Sequence, residues 1–248
     1  DVVVAQQGSP AELVKAAVDA LGGMGRFVKP GQFVVVKPNF TWGSVPERAN
    51  DTNPEVVNAV VSLCKAAGAK RVLVLDHVLN GNLTACLENT GVRKATESAG
   101  GEILGLPSYG QEGRYQEAAV PKGQNLKKTQ VIKEVLEADV LINVPIAKDH
   151  SGARLTLSMK NLMGVVWDRR FWHREGLQRC IAELALLRKP DLNVVDAFLV
   201  MMAHGPYGAT TDDLDMKKMQ VLSPDPVLAD AAASRILGFA PERVPHIK

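Results

Sequence analysis

Cysteines are few in this sequence, and their spacing is not that of metal ligands. The 248 residues include three, Cys64, Cys86 and Cys180, and no CxxC pair occurs. A zinc site or an iron–sulfur cluster held by cysteines of this chain is therefore not expected. At most one disulfide can form, which leaves the redox compartment open. The apolar helical patterns around Cys64 and Cys180 predict buried, inert thiols.

Long apolar runs and an excess of one charge are also absent. No run reaches the roughly 18 apolar residues of a membrane span. The 29 Lys and Arg nearly balance the 27 Asp and Glu, for a net charge of +2, so we expect no nucleic-acid partner. The chain begins at Asp1 without a methionine. A cytoplasmic protein and an exported protein with a removed leader both fit that start.

Several nucleotide-binding and catalytic motifs are missing. The turn after the first predicted strand is AQQGSPAE, which contains no GxGxxG, and the chain has neither a Walker phosphate loop nor a GxSxG elbow. These absences disfavour dinucleotide binding, P-loop hydrolysis and a typical α/β-hydrolase. No HExxH or other fixed metal-binding spacing occurs either, so a metal site has only weak support.

Strand patterns alternate with helix patterns along the chain. Strands are predicted at 2–5, 33–39, 71–77, 102–105, 140–146, 192–198 and, as a short one, 221–222. The uninterrupted apolar runs of several of them are typical of strands that are covered on both faces. This order predicts an α/β fold with a mostly parallel sheet flanked by helices. We expect one domain over 1–248, with a polar excursion around 107–130 that is a candidate inserted subdomain or a β-hairpin covering one edge.

Helix boundaries are marked by capping residues. Ser9, Pro10 and Glu12 form the pattern of a capping box at a helix start, and the helix is predicted to run to about Leu21. Asn53-Pro54 and Asp225-Pro226 indicate two more starts. Two weaker helical segments, broken at Gly91, are expected within 82–100, and a short one at 131–138. One amphipathic helix is predicted over 173–187.

Polar side chains follow four of the predicted strands. They are Lys37 and Asn39, then Asp76 and His77, then Lys148, Asp149 and His150, and finally Asp196. Ligands of parallel α/β sheets bind beyond the carboxyl ends of the strands. The four strand ends therefore predict one site, provided that the strands are neighbours. The loop 201–208, MMAHGPYG, is expected to lie over the same edge as a rim.

Lys160 is unusual because it lies in the apolar segment LTLSMKNLMG. Desolvating an ammonium costs several kcal/mol, so a buried lysine needs a counter-charge or a bound anion. Asp196 is one candidate partner, and a substrate carboxylate or phosphate is the other.

Three histidines are candidates for acid–base work or for metal binding. His77 and His150 follow strands at the proposed edge, and His173 follows the arginine-rich segment WDRRFWH. Asp76 and Asp196 are candidates to orient these groups, although each of them could equally cap a turn.

The order of these segments resembles the family called domain of unknown function 362. The segments that carry the resemblance are VVVKPN, TNPEVVNAVVSLCKAAGAKRVLVLD, EADVLINVPIAKDHSGARLTLSMKNLMG, a later WH, KPDLNVVDA and SPDPVLADAAASRILG. They cover nearly the whole chain. The resemblance implies that the following are motif positions: Lys37, Asn39, Lys148, His150, Lys160, Asn161, His173 and Asp196. Some members carry ferredoxin-type cysteine motifs, which this chain lacks, and some are exported with a twin-arginine leader.

A looser similarity, in residue type only, is to lactate racemases. In those enzymes a lysine and histidines hold a nickel-pincer nucleotide in a cleft. His150, Lys160 and His173 are similar to that set, so a divalent metal is a candidate cofactor. Neither resemblance implies an established reaction for this chain.

Together these patterns predict an enzyme that acts on a small anionic substrate, with a metal as a candidate aid. His150, His173 and Lys160 are the candidate catalytic residues. The candidate substrate-binding residues are Lys37, Asn39, Asp76, Lys148, Asn161 and Asp196, and the candidate metal ligands are His77, His150 and His173. Two alternatives stay open: a non-catalytic protein that binds a metal or an anion, and a redox subunit whose iron–sulfur partner is another chain.

Overall fold

The computed structural model describes residues 1–79, 81–167 and 169–248. The strands are β1 (Val3–Gln6), β2 (Phe33–Pro38), β3 (Arg71–Val78), β4 (Glu102–Pro107), β5 (Tyr115–Ala119), β6 (Lys128–Ile132), β7 (Val140–Val144), β8 (Ile146–His150), β9 (Arg154–Thr156), β10 (Leu192–Met201) and β11 (Leu214–Ser223). The helices are α1 (Pro10–Ala20), α2 (Pro54–Ala66), α3 (Leu83–Glu88), α4 (Val92–Ser98), α5 (Lys133–Glu137), α6 (Ser158–Asn161), α7 (Arg170–Glu175), α8 (Leu177–Leu187) and α9 (Pro226–Ile236). None of the helices in these ranges combines the length and the apolar character of a bilayer span.

The main sheet is mixed, and most of its strand pairs are parallel. Its order is β1-β11-β10-β7-β2-β3-β4, and β8 and β9 extend it beside β10. The five strands from β10 to β4 are parallel neighbours, whereas β11 runs antiparallel to both β1 and β10. The predicted α/β fold with a mostly parallel sheet is therefore confirmed. The strands β10, β7, β2 and β3, which were predicted to deliver the site residues, are consecutive in the sheet.

Two apolar cores lie on the two faces of the sheet. Successive side chains of a strand point to opposite faces, so Val34 and Val36 pack with α1 and α2, whereas Val35 packs with α8 and α9. Burial on both faces is the physical reason that these strands are uninterrupted apolar runs.

The helix starts are as the sequence predicts. Ser9 and Glu12 form the capping box of α1, while Asn53 and Asp225 accept hydrogen bonds from the first backbone N–H groups of α2 and α9. Gly91 separates α3 from α4. The thiols of Cys64 and Cys180 are buried, and burial raises the pKa of both. Both groups therefore stay protonated and unreactive, as predicted.

Two local predictions need correction, and one of two predicted alternatives is observed. The single helix expected over 173–187 is two helices, because Gly176 adopts a left-handed conformation (φ +96°) between α7 and α8. The short strand expected at 221–222 is the ten-residue β11, whose first half is partly exposed and therefore polar in sequence. The polar excursion contains the antiparallel pair β5 and β6, as the predicted β-hairpin alternative requires, and buried Tyr115 and Val131 of that pair join the core beside α8.

Candidate functional site

A small cavity lies beyond the carboxyl ends of β2, β3 and β8. Its volume is about 70 Å³. The described residues that line it are Lys37, Asn39, Thr41, Trp42, Asp76, Leu79, Lys148, His150, Thr156, Lys160, Asn161, Met163, Gly164, Arg169 and Pro206. Four of these side chains are cationic and one is a carboxylate. The cavity is therefore a positively charged environment at the edge where parallel sheets bind ligands.

Lys37 is engaged by the protein itself. Its Nζ lies 2.8 Å from Asp76 Oδ1, and both side chains are at most 2% exposed. The same Nζ donates hydrogen bonds to the carbonyl of Pro38 (2.6 Å) and to Asn161 Oδ1 (3.1 Å). Because an ammonium has three N–H donors, these contacts leave Lys37 none for a substrate. Burial lowers the pKa of Lys37, and the Asp76 carboxylate opposes that shift.

The carboxamide of Asn161 is also used within the protein. Its Nδ2 donates to the carbonyl of Lys37 (3.1 Å) and to Asn143 Oδ1 (2.9 Å). Asn143 Nδ2 donates in turn to Asn193 Oδ1 at 3.1 Å. This buried chain of amides ties α6 to β2, β7 and β10. Asn161 and Lys37 therefore fix the floor of the cavity rather than supply free donors to a ligand.

Gly164 packs against the ion pair. A Cβ atom at this position would lie 2.2 Å from Asp76 Oδ1 and 2.5 Å from Lys37 Nζ. Those distances are far inside van der Waals contact, so only glycine fits here without moving the pair.

Replacing Gly164 by alanine is expected to lower the free energy of unfolding by about 1–3 kcal/mol, as overpacked sites do. Gly113→Ala is the matched control, because a Cβ there meets nothing within 4 Å. Urea unfolding followed by circular dichroism measures both variants. Equal stabilities of the two would contradict the close packing at Gly164.

Lys148 and Lys160 both keep N–H groups that no described residue accepts. Lys148 is fully buried and donates to the carbonyl of Asn50, which leaves two N–H groups. Lys160 Nζ makes no hydrogen bond or ion pair with any described residue, including Asp196, which was one predicted partner. Burial lowers the pKa of Lys148 to about 8, opposed by the charge of Asp51. Burial, together with the charges of Arg169 and Lys148, lowers the pKa of Lys160 to about 7.

His150 is a neutral hydrogen-bond donor in this environment. Its Nδ1 accepts hydrogen bonds from the backbone N–H groups of Gly152 (3.0 Å) and Ala153 (3.1 Å). The single proton of the neutral ring therefore resides on Nε2. Burial and the charges of Lys160 and Lys148 lower the pKa of His150 to about 3. At neutral pH the ring can offer an N–H to a ligand.

The structure places three other predicted residues away from the cavity. Asp196 is buried beside α2, where its carboxylate accepts from the backbone N–H of Asn53 (2.9 Å) and from Gln220 Nε2 (3.1 Å). His173 is exposed on α7 and does not line the cavity. His77 is buried, and both of its ring nitrogens have hydrogen-bond partners, Tyr115 at 2.9 Å and Ser108 at 3.0 Å.

The three candidate metal ligands consequently do not form one site. Across residues 1–79, 81–167 and 169–248, no three His, Cys, Asp or Glu side chains converge as metal ligands would. Of the three histidines, only His150 lines the cavity with Lys160, so a lysine and several histidines do not converge as the ligands of a nickel-pincer nucleotide would. The donor set therefore fits neither a divalent metal nor that nucleotide.

Arg169 is the charged residue of the cavity lining that the sequence patterns did not single out. It follows Trp167 in the segment WDRRFWH, and its guanidinium donates to the carbonyl of His77 at 3.5 Å. Burial lowers the pKa of Arg169. The arginine-rich segment was the available signal, but nothing in its pattern distinguishes Arg169 from Arg170.

The loop 201–208 borders the cavity, as predicted. Pro206 lines it, and Tyr207 stacks on Trp42 with ring centroids 5.0 Å apart. Asp149 holds the loop by accepting a hydrogen bond from the backbone N–H of Gly205 (2.9 Å).

Of the predicted substrate-binding residues, Asn39 and Lys148 remain available to a ligand, and Asn39 Nδ2 has no partner among the described residues.

Two solved structures share this fold at low sequence identity. A crystal structure of a Thermotoga maritima protein has a TM-score of 0.60 and 11% identity, over 94% of this chain and 60% of that chain. The lactate racemase apoprotein of Thermoanaerobacterium thermosaccharolyticum has a TM-score of 0.54 and 13% identity, over 88% of this chain and 53% of that chain. This chain thus spans less than two thirds of either protein. Likeness at these identities concerns the fold alone.

Sequence comparison identifies the family. A thylakoid-associated protein of Synechocystis sp. is 31% identical over 97% of this chain and 74% of its own length. The model of the family described as Domain of unknown function (DUF362) matches residues 34–235, a span that includes every residue of the cavity lining. The resemblance of the motifs is thereby confirmed, and the chain belongs to the DUF362 family.

Proposed function

We propose that this protein is an enzyme that binds a small carboxylate or phosphate in the cavity and exchanges a proton with it through Lys160. The observation that carries the proposal is the state of Lys160, which lies among cationic groups and has no partner among the described residues. A buried ammonium without a counter-charge is costly. A bound anion would supply the missing negative charge.

The other cavity side chains suit an anionic ligand. Lys148 has two N–H groups without an acceptor among the described residues, Arg169 offers a planar set of donors, and the neutral ring of His150 offers its Nε2–H. Charge-assisted hydrogen bonds of this kind are stronger than neutral ones. Asp76 adds little repulsion, because Lys37 already neutralises it at 2.8 Å.

Lys160 is suited to move a proton near neutral pH. Burial and nearby cations lower its pKa to about 7, so its ammonium and amine forms coexist there. General acid–base catalysis is most efficient when the pKa of the group is close to the working pH. The site favours proton transfer next to a carboxylate, since Lys148 and Arg169 can hold that carboxylate while Lys160 exchanges the proton.

Calorimetric titration of the protein with acetate, lactate, pyruvate and phosphate tests the binding site. We expect Lys148→Met to weaken the binding of the best ligand by about tenfold to a hundredfold, because a hydrogen bond to a charged group contributes roughly 1.5–3 kcal/mol. Lys94→Met, at an exposed position of α4, is expected to leave the affinity unchanged.

Turnover separates an enzyme from a binding protein. Exchange of deuterium from solvent into the methyl group of bound acetate or into C2 of bound lactate, followed by NMR, measures the proposed proton transfer next to a carboxylate. Binding without exchange would leave a binding protein and overturn the catalytic role of Lys160. A failure of all four anions to bind would overturn the anion site itself.

A further inference from the structure

Lys160 is held in place by its helix rather than by its own amine. It lies in α6, whose first two backbone N–H groups, from Ser158 and Met159, donate to the carboxylate of Asp230 at 2.6 and 3.0 Å. Asp230 is completely buried, and Asn161 ties the end of α6 to β2 and β7. The backbone of Lys160 is therefore fixed at both ends of α6, while Nζ has no partner within the described residues.

The environment of Nζ favours an uncharged amine. The charges of Arg169, Lys148 and Lys37 all oppose protonation of Lys160, and Asp76, which favours it, is already paired with Lys37, to judge by the described residues. Desolvation and neighbouring cations are the two conditions that activate a lysine as a nucleophile. An amine that is free of hydrogen bonds and faces a cavity has its lone pair available to a ligand.

We propose that the amine of Lys160 forms a Schiff base with the carbonyl carbon of a small oxo acid that is bound in the cavity. The inference rests on the proposed anion site and specifies its substrate class. Nζ adds to the carbonyl carbon, and the carbonyl oxygen becomes a hydroxyl group by taking a proton. Loss of one water then leaves the C=N bond, so that atoms balance without any oxidant or reductant.

The cavity is suited to an acid that carries its carbonyl next to the carboxylate. Lys148 and Arg169 are placed to bind the carboxylate, and Asn39 Nδ2 and Thr156 Oγ1 are polar atoms of the lining without a partner among the described residues. A hydroxyl or amide donor next to the carbonyl oxygen stabilises the negative charge that develops there during addition. A cavity volume of about 70 Å³ suits a ligand of few heavy atoms.

Reductive trapping tests the inference directly. The protein is incubated with pyruvate or glyoxylate and sodium cyanoborohydride, then analysed by intact mass spectrometry and peptide mapping. We expect one adduct per chain, on Lys160, with the mass of the acid less one oxygen atom. Lys160→Arg keeps a positive charge but cannot form a stable imine, so we expect the adduct to be lost in that variant and kept in Lys94→Met.

The possible outcomes separate this inference from the proposed function. If pyruvate binds by calorimetry but Lys160 is not modified, or if other lysines are modified to the same extent, the Schiff base is overturned while the anion site stands. If none of acetate, lactate, pyruvate and phosphate binds, the proposed function fails as well. A Lys160→Arg variant that is trapped as efficiently as the parent protein would also overturn the inference.

Discussion

Asp76→Ala is expected to lower the free energy of unfolding by about 3–5 kcal/mol, the cost of breaking a buried ion pair by removing one partner. Lys37 and Asp76 are 1% and 2% exposed, so solvent cannot replace the lost carboxylate. The backbone N–H of Phe40 would also lose its acceptor, Asp76 Oδ2, at 3.0 Å. Urea unfolding at neutral pH measures the change.

An exposed ion pair provides the matched control. Lys15 and Asp19 lie 2.6 Å apart on α1 with exposed fractions of 67% and 56%. Asp19→Ala is expected to cost less than about 0.5 kcal/mol, because exposed helical pairs contribute little. The double variant Lys37→Met/Asp76→Leu should recover part of the stability lost in Asp76→Ala, since it removes the unpaired charge. A cost for Asp76→Ala no larger than that for Asp19→Ala would contradict the structural role of the pair.

Lys160→Met is expected to stabilise the protein at and below neutral pH. The pKa of Lys160 falls from 10.5 to about 7 on folding, so the unfolded chain binds more protons than the folded one between these values. The charged lysine therefore opposes folding by at most about 5 kcal/mol below pH 7, at roughly 1.4 kcal/mol per pKa unit. That penalty declines as the pH rises from 7 towards 10.5, and with it the advantage of the variant.

Denaturant unfolding of the parent protein and of Lys160→Met at pH 6, 8 and 10 measures the difference in their free energies of unfolding. It checks both the sign of that difference and the pH range over which it declines. The difference should be largest at pH 6 and smallest at pH 10, whereas Lys94→Met should show no such trend. A Lys160→Met variant less stable than the parent protein at pH 6 would show that the amine has a counter-charge in solution. If Lys160→Met is more stable than the parent protein and also binds anions less tightly, Lys160 is a functional residue that the protein keeps at a cost in folding stability.

Some of the site was predictable because it depends on local sequence. Lys37, Asp76 and Lys148 directly follow apolar runs in the sequence, and a parallel sheet places the residues that follow such runs at one edge. Lys160 could be identified as a candidate site residue because an ammonium in an apolar segment needs a counter-charge or a bound anion. The arginine-rich segment indicated a cationic region but not which guanidinium faces the cavity.

The partners of these side chains were not predictable from the same patterns. Sequence reasoning assigned Lys37 and Asn161 to a substrate, yet they bond to each other across 124 positions of the chain. Asp196 was a candidate ligand, but its carboxylate accepts the backbone N–H of Asn53, 143 positions away. A polar side chain is available to a ligand only if no distant group of the protein already forms its hydrogen bonds. The local sequence pattern does not identify those distant groups.

By itself, the sequence determined the fold class, the helix starts and the buried strands. Those features depend on side-chain periodicity, backbone propensity and capping within a few residues. Only the tertiary structure decided that β10, β7, β2 and β3 are neighbours, that Asp76 neutralises Lys37, and that Lys160 lies among cations without a partner in the part of the chain that the structure describes. Strand order and charge pairing both arise from contacts between segments that are distant in the sequence. For the charges the reason is burial, because a charged group that is removed from water is stable only when another protein group or a ligand replaces the water.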